Sequence, residues 1–319
     1  MADTIAWDDG SGDVIHLTTS LPETGSKIIA ISSDPNRGAA RSKILTFRTL
    51  NGTPQRTVQI TINQPAGEPT PDRACITFRS TGTNTISLSK HGTVGTPTLY
   101  YSLDGTTWTQ WDLSAISISA GHPLFIYGNN STFSTSTSNY LQFVIGGTGN
   151  VTCSGNIMTL VDGTGTTKTI PAQYFFMNLF RDCTKLTAGP QLPATTLKGH
   201  CYRGFFNGCT GLLEAPELPA TSLSSNCYAY MFRMCTSLTT APVLKATKLT
   251  TNCYSNMFYG CSSLNYIKSM NTTDPNSYCG NWVYGVAASG TFVKNRSATW
   301  TTTGNNGVPT GWTVQTASS

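Results

Sequence analysis

The stretch Cys201-Tyr-Arg-Gly-Phe-Phe-Asn-Gly-Cys-Thr-Gly-Leu-Leu-Glu-Ala-Pro-Glu-Leu-Pro-Ala-Thr-Ser-Leu223 is written, with variations, four times between Phe175 and Met270. Cys183, Cys209, Cys235 and Cys261 stand 26 residues apart, as do Cys201, Cys227, Cys253 and Cys279. Phe180, Phe206, Phe232 and Phe258 keep the same step, and so do Leu186, Leu212, Leu238 and Leu264. A fixed period in this range marks a stacked-repeat protein, because one unit cannot bury its apolar face alone and neighbours must do it together.

Within a unit, Leu197, Cys201, Phe205 and Cys209 stand four apart with Tyr202 and Phe206 beside them. That spacing predicts one apolar stripe on a short helix, stopped at Gly208 or, two copies on, at Gly260. An extended piece such as Thr236–Ala241 follows and ends at Pro242, and Leu-Pro-Ala-Thr (192–195 and 218–221) turns the chain into the next unit. Stacking then sets Leu on Leu, Phe on Phe and Cys on Cys.

The run Phe-x-x-Cys-Thr/Ser-x-Leu, with Tyr and Met or Phe just upstream, resembles the BspA-like leucine-rich repeats of Bacteroidota and their phages over residues 174–270. The resemblance implies a leucine-rich-repeat-like solenoid that binds partners and performs no chemistry. The end copies depart from it: Phe175-Phe176 stands where later copies have Cys-Tyr, and Lys268, Asn271 and Pro275 replace the two prolines and the closing leucine. Such end copies cap a stack.

The N-terminal part reads as alternating strands at Val14–Thr18, Lys27–Ser32, Lys43–Thr49 and Thr57–Asn63, with Asn51-Gly52 as a hairpin turn. Arg41-Ser-x-x-Leu-Thr-Phe-x-Thr followed by Val58-x-Ile-x-Ile-x-Gln64 resembles the BACON family, which implies an immunoglobulin-like sandwich and, by the family's name, carbohydrate binding. No sugar-binding residue of that family is matched here. The acidic run Asp8–Asp13 reads as a turn rather than a calcium loop, since its spacing is not that of an EF-hand.

The expected organisation is mainly β and multidomain: 1–66 immunoglobulin-like β domain, 67–72 Pro-rich linker, 73–165 second β-sandwich, 166–276 solenoid and 277–319 C-terminal cap. Candidate strands of the second sandwich are Ala74–Arg79, Thr85–Ser89, Leu99–Ser102, Thr107–Trp111, Ile116–Ser119, Leu124–Tyr127, Leu141–Ile145 and Ile157–Leu160. Tyr100, Tyr101, Trp108 and Trp111 make an aromatic cluster, which reads as core ahead of a sugar platform. In the cap, Tyr278, Trp282 and Val286 predict a helix over Ser277–Ala287, with strands at Thr291–Lys294 and Trp312–Gln315 and with Trp300 and Trp312 covering the open end.

A net charge of +5 without any Lys/Arg run argues against a nucleic-acid partner. No apolar run approaches a membrane span, and the first residues have neither the basic nor the apolar part of a secretion signal. Eight of the ten cysteines belong to the two ladders. Stacked side chains point the same way, so they read as buried free thiols rather than disulfides; no Cys-x-x-Cys pair suggests zinc. His16, His91, His122 and His200 are scattered, and His200 beside Cys201 has no counterpart at Cys227 or Cys253, so no catalytic or metal-binding set and no cofactor is expected.

Binding is the better class. The positions flanking the strand leucines vary from copy to copy, and Lys185, Thr187, Leu213, Thr239, Asn265 and Tyr266 are the candidate ligand-contacting residues. The leading expectation is a non-enzymatic phage virion protein, a head or tail fibre or a decoration protein, assembled in the host cytoplasm. Its partners would be other virion proteins, copies of itself as a homo-oligomer, and host-surface glycan or mucin. The alternatives are an adhesin at the bacterial cell surface and a purely architectural virion subunit.

Overall fold

A computed structural model describes residues 71–317 in full and, before them, the backbone of five strands. The protein is mainly β with almost no helix, its strands spread over several sheets. It divides into two compact units, Met1–Thr70 and Pro71–Ser319.

In the first unit β1 (Asp3–Asp8), β2 (Val14–Ser20) and β3 (Ile28–Ser33) form an antiparallel sheet. β4 (Arg41–Arg48) pairs antiparallel with β5 (Thr57–Gln64) along its whole length. Residues 9–13 of the acidic run and the Asn51-Gly52 turn lie outside the described residues.

The second unit opens with β6 (Ile76–Ser80), β7 (Asn84–His91), β8 (Leu99–Ser102), β9 (Thr109–Gln110), β10 (Ile116–Ile118), β11 (Leu124–Gly128), β12 (Tyr140–Gly147) and β13 (Val151–Gly155). Period-2 burial along β7 explains its place: Asn84, Ile86 and Leu88 turn inward, and Thr85 and Ser87 do not. β7 is the middle strand of a sheet ordered β10-β7-β12. A second sheet runs β13-β6-β11-β8-β9 and is extended past β13 by a parallel strand, β14 (Leu186–Ala188), from the repeat region. The two sheets meet where Phe78 of β6 lies edge-on to Phe143 of β12, ring centres 5.1 Å apart.

The strand expected at Ile157–Leu160 is corrected. The extended segment is β13, where Val151 and Cys153 are buried and Thr152 is exposed. Ile157, Met158, Leu160 and Val161 are buried without alternation, so they coil into a turn and the single helical turn α1 (Thr159–Asp162), ended by left-handed Gly163.

The helices expected in the repeats are corrected as well. Each segment is a ribbon of overlapping turns. In the second copy Cys201, Arg203, Phe205, Asn207 and Cys209 donate their N–H to the carbonyl three residues back. The alternate residues Tyr202, Gly204, Phe206 and Gly208 donate forward, to the carbonyls of Cys227, Ala229, Met231 and Arg233 in the next copy, at 2.8–3.0 Å. The four-residue period is real, but its cause is a left-handed residue at every fourth position. These are Tyr174, Asn178 and Asp182; His200, Gly204 and Gly208; Asn226, Tyr230 and Met234; Asn252, Asn256 and Gly260. Gly and Asn, with Asp, fill most of them, as the sterics of positive φ require. A helix would leave those residues unfavourable and would spend every N–H inside one copy; the ribbon spends half of them on its neighbour.

Stacking the copies lines up the apolar side chains in columns. Phe180, Phe206, Phe232 and Phe258 follow one another at 5.6–5.8 Å between ring centres. Tyr202, Tyr228 and Tyr254 do so at 6.0–6.2 Å. All seven are essentially inaccessible to water, each worth roughly 1.5–3 kcal/mol of burial. The Phe column continues into the first two sheets through Phe143, 5.0 Å from Phe180.

After the fourth copy come β15 (Tyr266–Ser269), β16 (Thr291–Lys294) and β17 (Thr313–Thr316), which pair in parallel. The helix expected over Ser277–Ala287 is replaced by one 3-10 turn (Pro275–Ser277) and another piece of ribbon, left-handed at Asn281 and Gly285. Trp282 takes the next place in the Tyr column, stacked 6.2 Å from Tyr254. Trp300 and Trp312 are buried, and their ring N–H groups donate to the carbonyls of Asn271 and Ala287.

Candidate functional site

The segments after the ladder cysteines place the candidate residues. Each Leu of the ladder points inward, so the next residue faces out. The Leu213 N–H donates to the Thr187 carbonyl at 3.0 Å, and the Asn265 N–H to the Thr239 carbonyl at 2.9 Å. Parallel bridges join Ala188 to Glu214 and Thr240 to Tyr266. Between the two pairs of copies no backbone hydrogen bond joins Leu212–Glu214 to Leu238–Thr240. A groove of about 520 Å³ lies there, lined by Leu213, Glu214, Ala215, Ser237, Thr239, Thr240 and Ala241.

The groove brings together two of the six candidates, Leu213 and Thr239. Leu213, the outward residue that follows ladder Leu212, is 57% exposed. Around it stand the Thr239, Thr240 and Ser237 hydroxyls and the Glu214 carboxylate. Apolar surface ringed by hydroxyls and one acceptor suits a ligand with C–H faces and its own hydroxyls.

The other four candidates do different work. The Lys185 carbonyl accepts the Val151 N–H, and the Thr187 hydroxyl donates to the Val151 carbonyl at 3.3 Å, so both serve the junction with β13. Asn265 is exposed beyond the groove, its backbone bonded to Thr239 and Thr291; Tyr266 starts β15 and is half-buried. Sequence reasoning missed Glu214, Ala215, Thr240 and Ala241. The signal available was that Ala188, Glu214 and Thr240 occupy one repeat position with three different residues.

A second trough of about 590 Å³ follows the proline turns, over Leu192, Pro193, Pro216 and Pro219. It is mostly apolar and contains none of the candidate residues.

The aromatic cluster divides. Trp111 is core. Tyr100 stacks on Tyr127 at 5.1 Å, Trp108 meets Tyr127 edge-on, and the Arg73 guanidinium sits 4.4 Å from the Tyr127 ring centre. A cation already covers that ring, which speaks against a vacant sugar platform there.

All ten cysteines are free and buried. The thiols of Cys183, Cys209, Cys235 and Cys261 donate to the carbonyls of Phe143, Phe180, Phe206 and Phe232 at 2.9–3.2 Å, so each ties its copy to the preceding layer. Burial pushes these thiols up, Cys261 to about 12. Cys201 is also pushed up by burial to about 12, and the His200 ring beside it is stacked on Tyr174 at 4.4 Å. A dry, protonated thiol is the opposite of an activated nucleophile.

Compared with protein-family models, curated proteins and solved structures, the chain matches none. Among the described residues no group of three or more His, Cys, Asp or Glu side chains could hold a metal, and no helix is long and apolar enough to cross a membrane.

Proposed function

We propose that the protein is a non-enzymatic virion component of a phage infecting Bacteroidota, a fibre or decoration protein that attaches to host-surface glycan or mucus. In this reading residues 166–276 are a leucine-rich-repeat-like solenoid of 26-residue copies, capped by 277–319, and 1–66 are a BACON-like anchor or spacer. The observation that carries it is the groove on the strand side, where Leu213 stands exposed among Thr239, Thr240 and Glu214 on a surface built by stacking. Free buried thiols throughout support folding in a reducing compartment, as for a particle assembled in a cytoplasm.

The test is retention of the purified chain on intact Bacteroidota cells and on cells stripped of capsule. Capsule-dependent retention, lost in Leu213→Asp, is expected. Equal retention by the two kinds of cell, or full retention of Leu213→Asp, would overturn the reading.

A purely architectural subunit is the second reading, favoured by β17. Thr313, Val314, Gln315 and Thr316 are all exposed on the last strand of its sheet, with no charge or proline to block pairing. A regular multimer that binds neither cell type would select it.

A further inference from the structure

The turn ribbon carries a third concavity, of about 190 Å³. Arg181, Arg203, Asn178, Asn207 and Tyr230 line it. These residues come from three copies and are brought together by the ribbon's own bonds. The Asn178 N–H donates to the Arg203 carbonyl at 2.9 Å, Arg181 donates back to Asn178 at 3.0 Å, and Asp182 donates to Asn207 at 2.7 Å. Tyr230 is held at φ 60°, and the Arg203 guanidinium lies 4.4 Å from its ring centre. Gly204, at φ 63°, leaves the space that Asn178 fills: a Cβ there would meet Asn178 Oδ1 at 2.3 Å. The conformations of Gly204 and Tyr230 thus hold an amide and a guanidinium side by side.

Two features point to a ligand. Asn178 is nine-tenths buried as a residue, lines the concavity, and its side-chain amide, open to solvent there, makes no hydrogen bond among the described residues. Two guanidinium groups share the wall with no carboxylate in it. Arg181 is paired only with exposed Asp182 just outside (Nε–Oδ2 3.2 Å), and Arg203 has no ion pair among the described residues. The volume is below the roughly 300 Å³ at which pockets begin to enclose a whole small molecule, so it fits one group of a larger ligand.

We propose that this concavity is an anion subsite that takes the carboxylate of an acidic sugar unit within a polysaccharide. The planar carboxylate matches the Arg203 fork, and the Asn178 and Asn207 amides pair with adjacent sugar hydroxyls. This rests on the glycan-binding reading for the polymer, but on different residues from those of the Leu213 groove.

The test is calorimetry with the full chain and an oligosaccharide alternating glucuronic acid with a neutral sugar, beside the same oligosaccharide with its carboxyls reduced to alcohols. Reduction and Arg203→Gln are each expected to weaken binding by about 10-fold or more, with Arg203→Lys recovering only part because it offers a point charge. If Arg203→Gln melts early, Arg181→Gln serves, its side chain being bonded only to exposed Asp182. Equal binding of both oligosaccharides, unchanged binding by the arginine variants, or no binding of the acidic chain at millimolar concentration would overturn the proposal. Retention on capsulated cells that survives Arg203→Gln but not Leu213→Asp would refute this subsite and leave the groove standing.

Discussion

Replacing Asn252 tests the ribbon directly, because the ribbon and a helix give opposite signs. Asn252 has φ 52° and is exposed, and its side chain makes no hydrogen bond among the described residues, so little besides backbone conformation changes. In the left-handed region an ordinary L residue is disfavoured by about 1–2 kcal/mol, and Asn by less. Asn252→Ala should therefore destabilise by about 1 kcal/mol, while Asn252→Gly stays close to the parent. In a helix Ala would be better than Asn by about half a kcal/mol and Gly would be the worst of the three. For a unit of this size 1 kcal/mol moves Tm by about 2–4 °C. The assay is thermal unfolding followed by near-UV circular dichroism, checked by urea midpoints. The expected order is Asn and Gly together, with Ala below them by that amount. An order of Ala, Asn, Gly would refute the ribbon at this position and restore the helix.

Other consequences can be measured on the same preparation. Phe232→Ala, at the centre of a column with neighbours 5.6 and 5.7 Å away, should cost about 3–5 kcal/mol, read as a drop in urea midpoint. Gly189→Ala should cost about 1–3 kcal/mol, because its Cβ would lie 2.3 Å from Phe206 Cζ in a packed interior. Stability should hold up to about pH 8 and fall from about pH 9 upward in a urea series. The ladder thiols are raised by burial, so above the ordinary thiol range the unfolded chain has lost protons that the folded chain keeps, and each such thiol removes about 1.4 kcal/mol per pH unit until its folded pKa is reached. A thiol reagent at pH 8 should label none of the four ladder cysteines Cys183, Cys209, Cys235 and Cys261 in the folded chain and all of them in denaturant; rapid native labelling would contradict their burial.

The repeat was legible because stacking forces identity at the positions that touch: Phe on Phe, Cys on Cys and Leu on Leu recur at one step. The local conformation was misread because a four-residue period is close to 3.6, and the apolar residues alone do not separate a helix from a ribbon. The residues that do separate them are the outward ones. Gly204 and Gly208, then Asn252, Asn256 and Gly260, fall four apart where a helix would carry good helix formers. The β13 strand was displaced by a similar ambiguity, since Ile157–Val161 is apolar enough for a strand but lacks its alternation.

The candidate site was legible in part, for a related reason. Leu213 and Thr239 share a repeat position, so the period alone relates them, and the groove contains both. Arg203 and Tyr230 are 27 apart rather than 26, and a search in register never pairs them. The ribbon's backbone bonds run at a different step again: each reaches the residue one short of its equivalent, as Phe206 does to Met231 rather than to Phe232, whereas Tyr230 stands one beyond Ala229, the equivalent of Arg203. Side chains outside the columns meet at mixed steps, in register for Tyr174 with His200 and Arg233 with Tyr259 and one beyond it for Arg203 with Tyr230, while the Phe and Tyr columns inside stack in register. The interior can stay invariant while the surface pairs residues that the repeat does not dictate. Surface chemistry on such a stack is then free to change from copy to copy without disturbing the columns beneath, which is the condition for one fold to carry both a hydroxyl-lined groove with a single carboxylate and a concavity walled by two guanidinium groups.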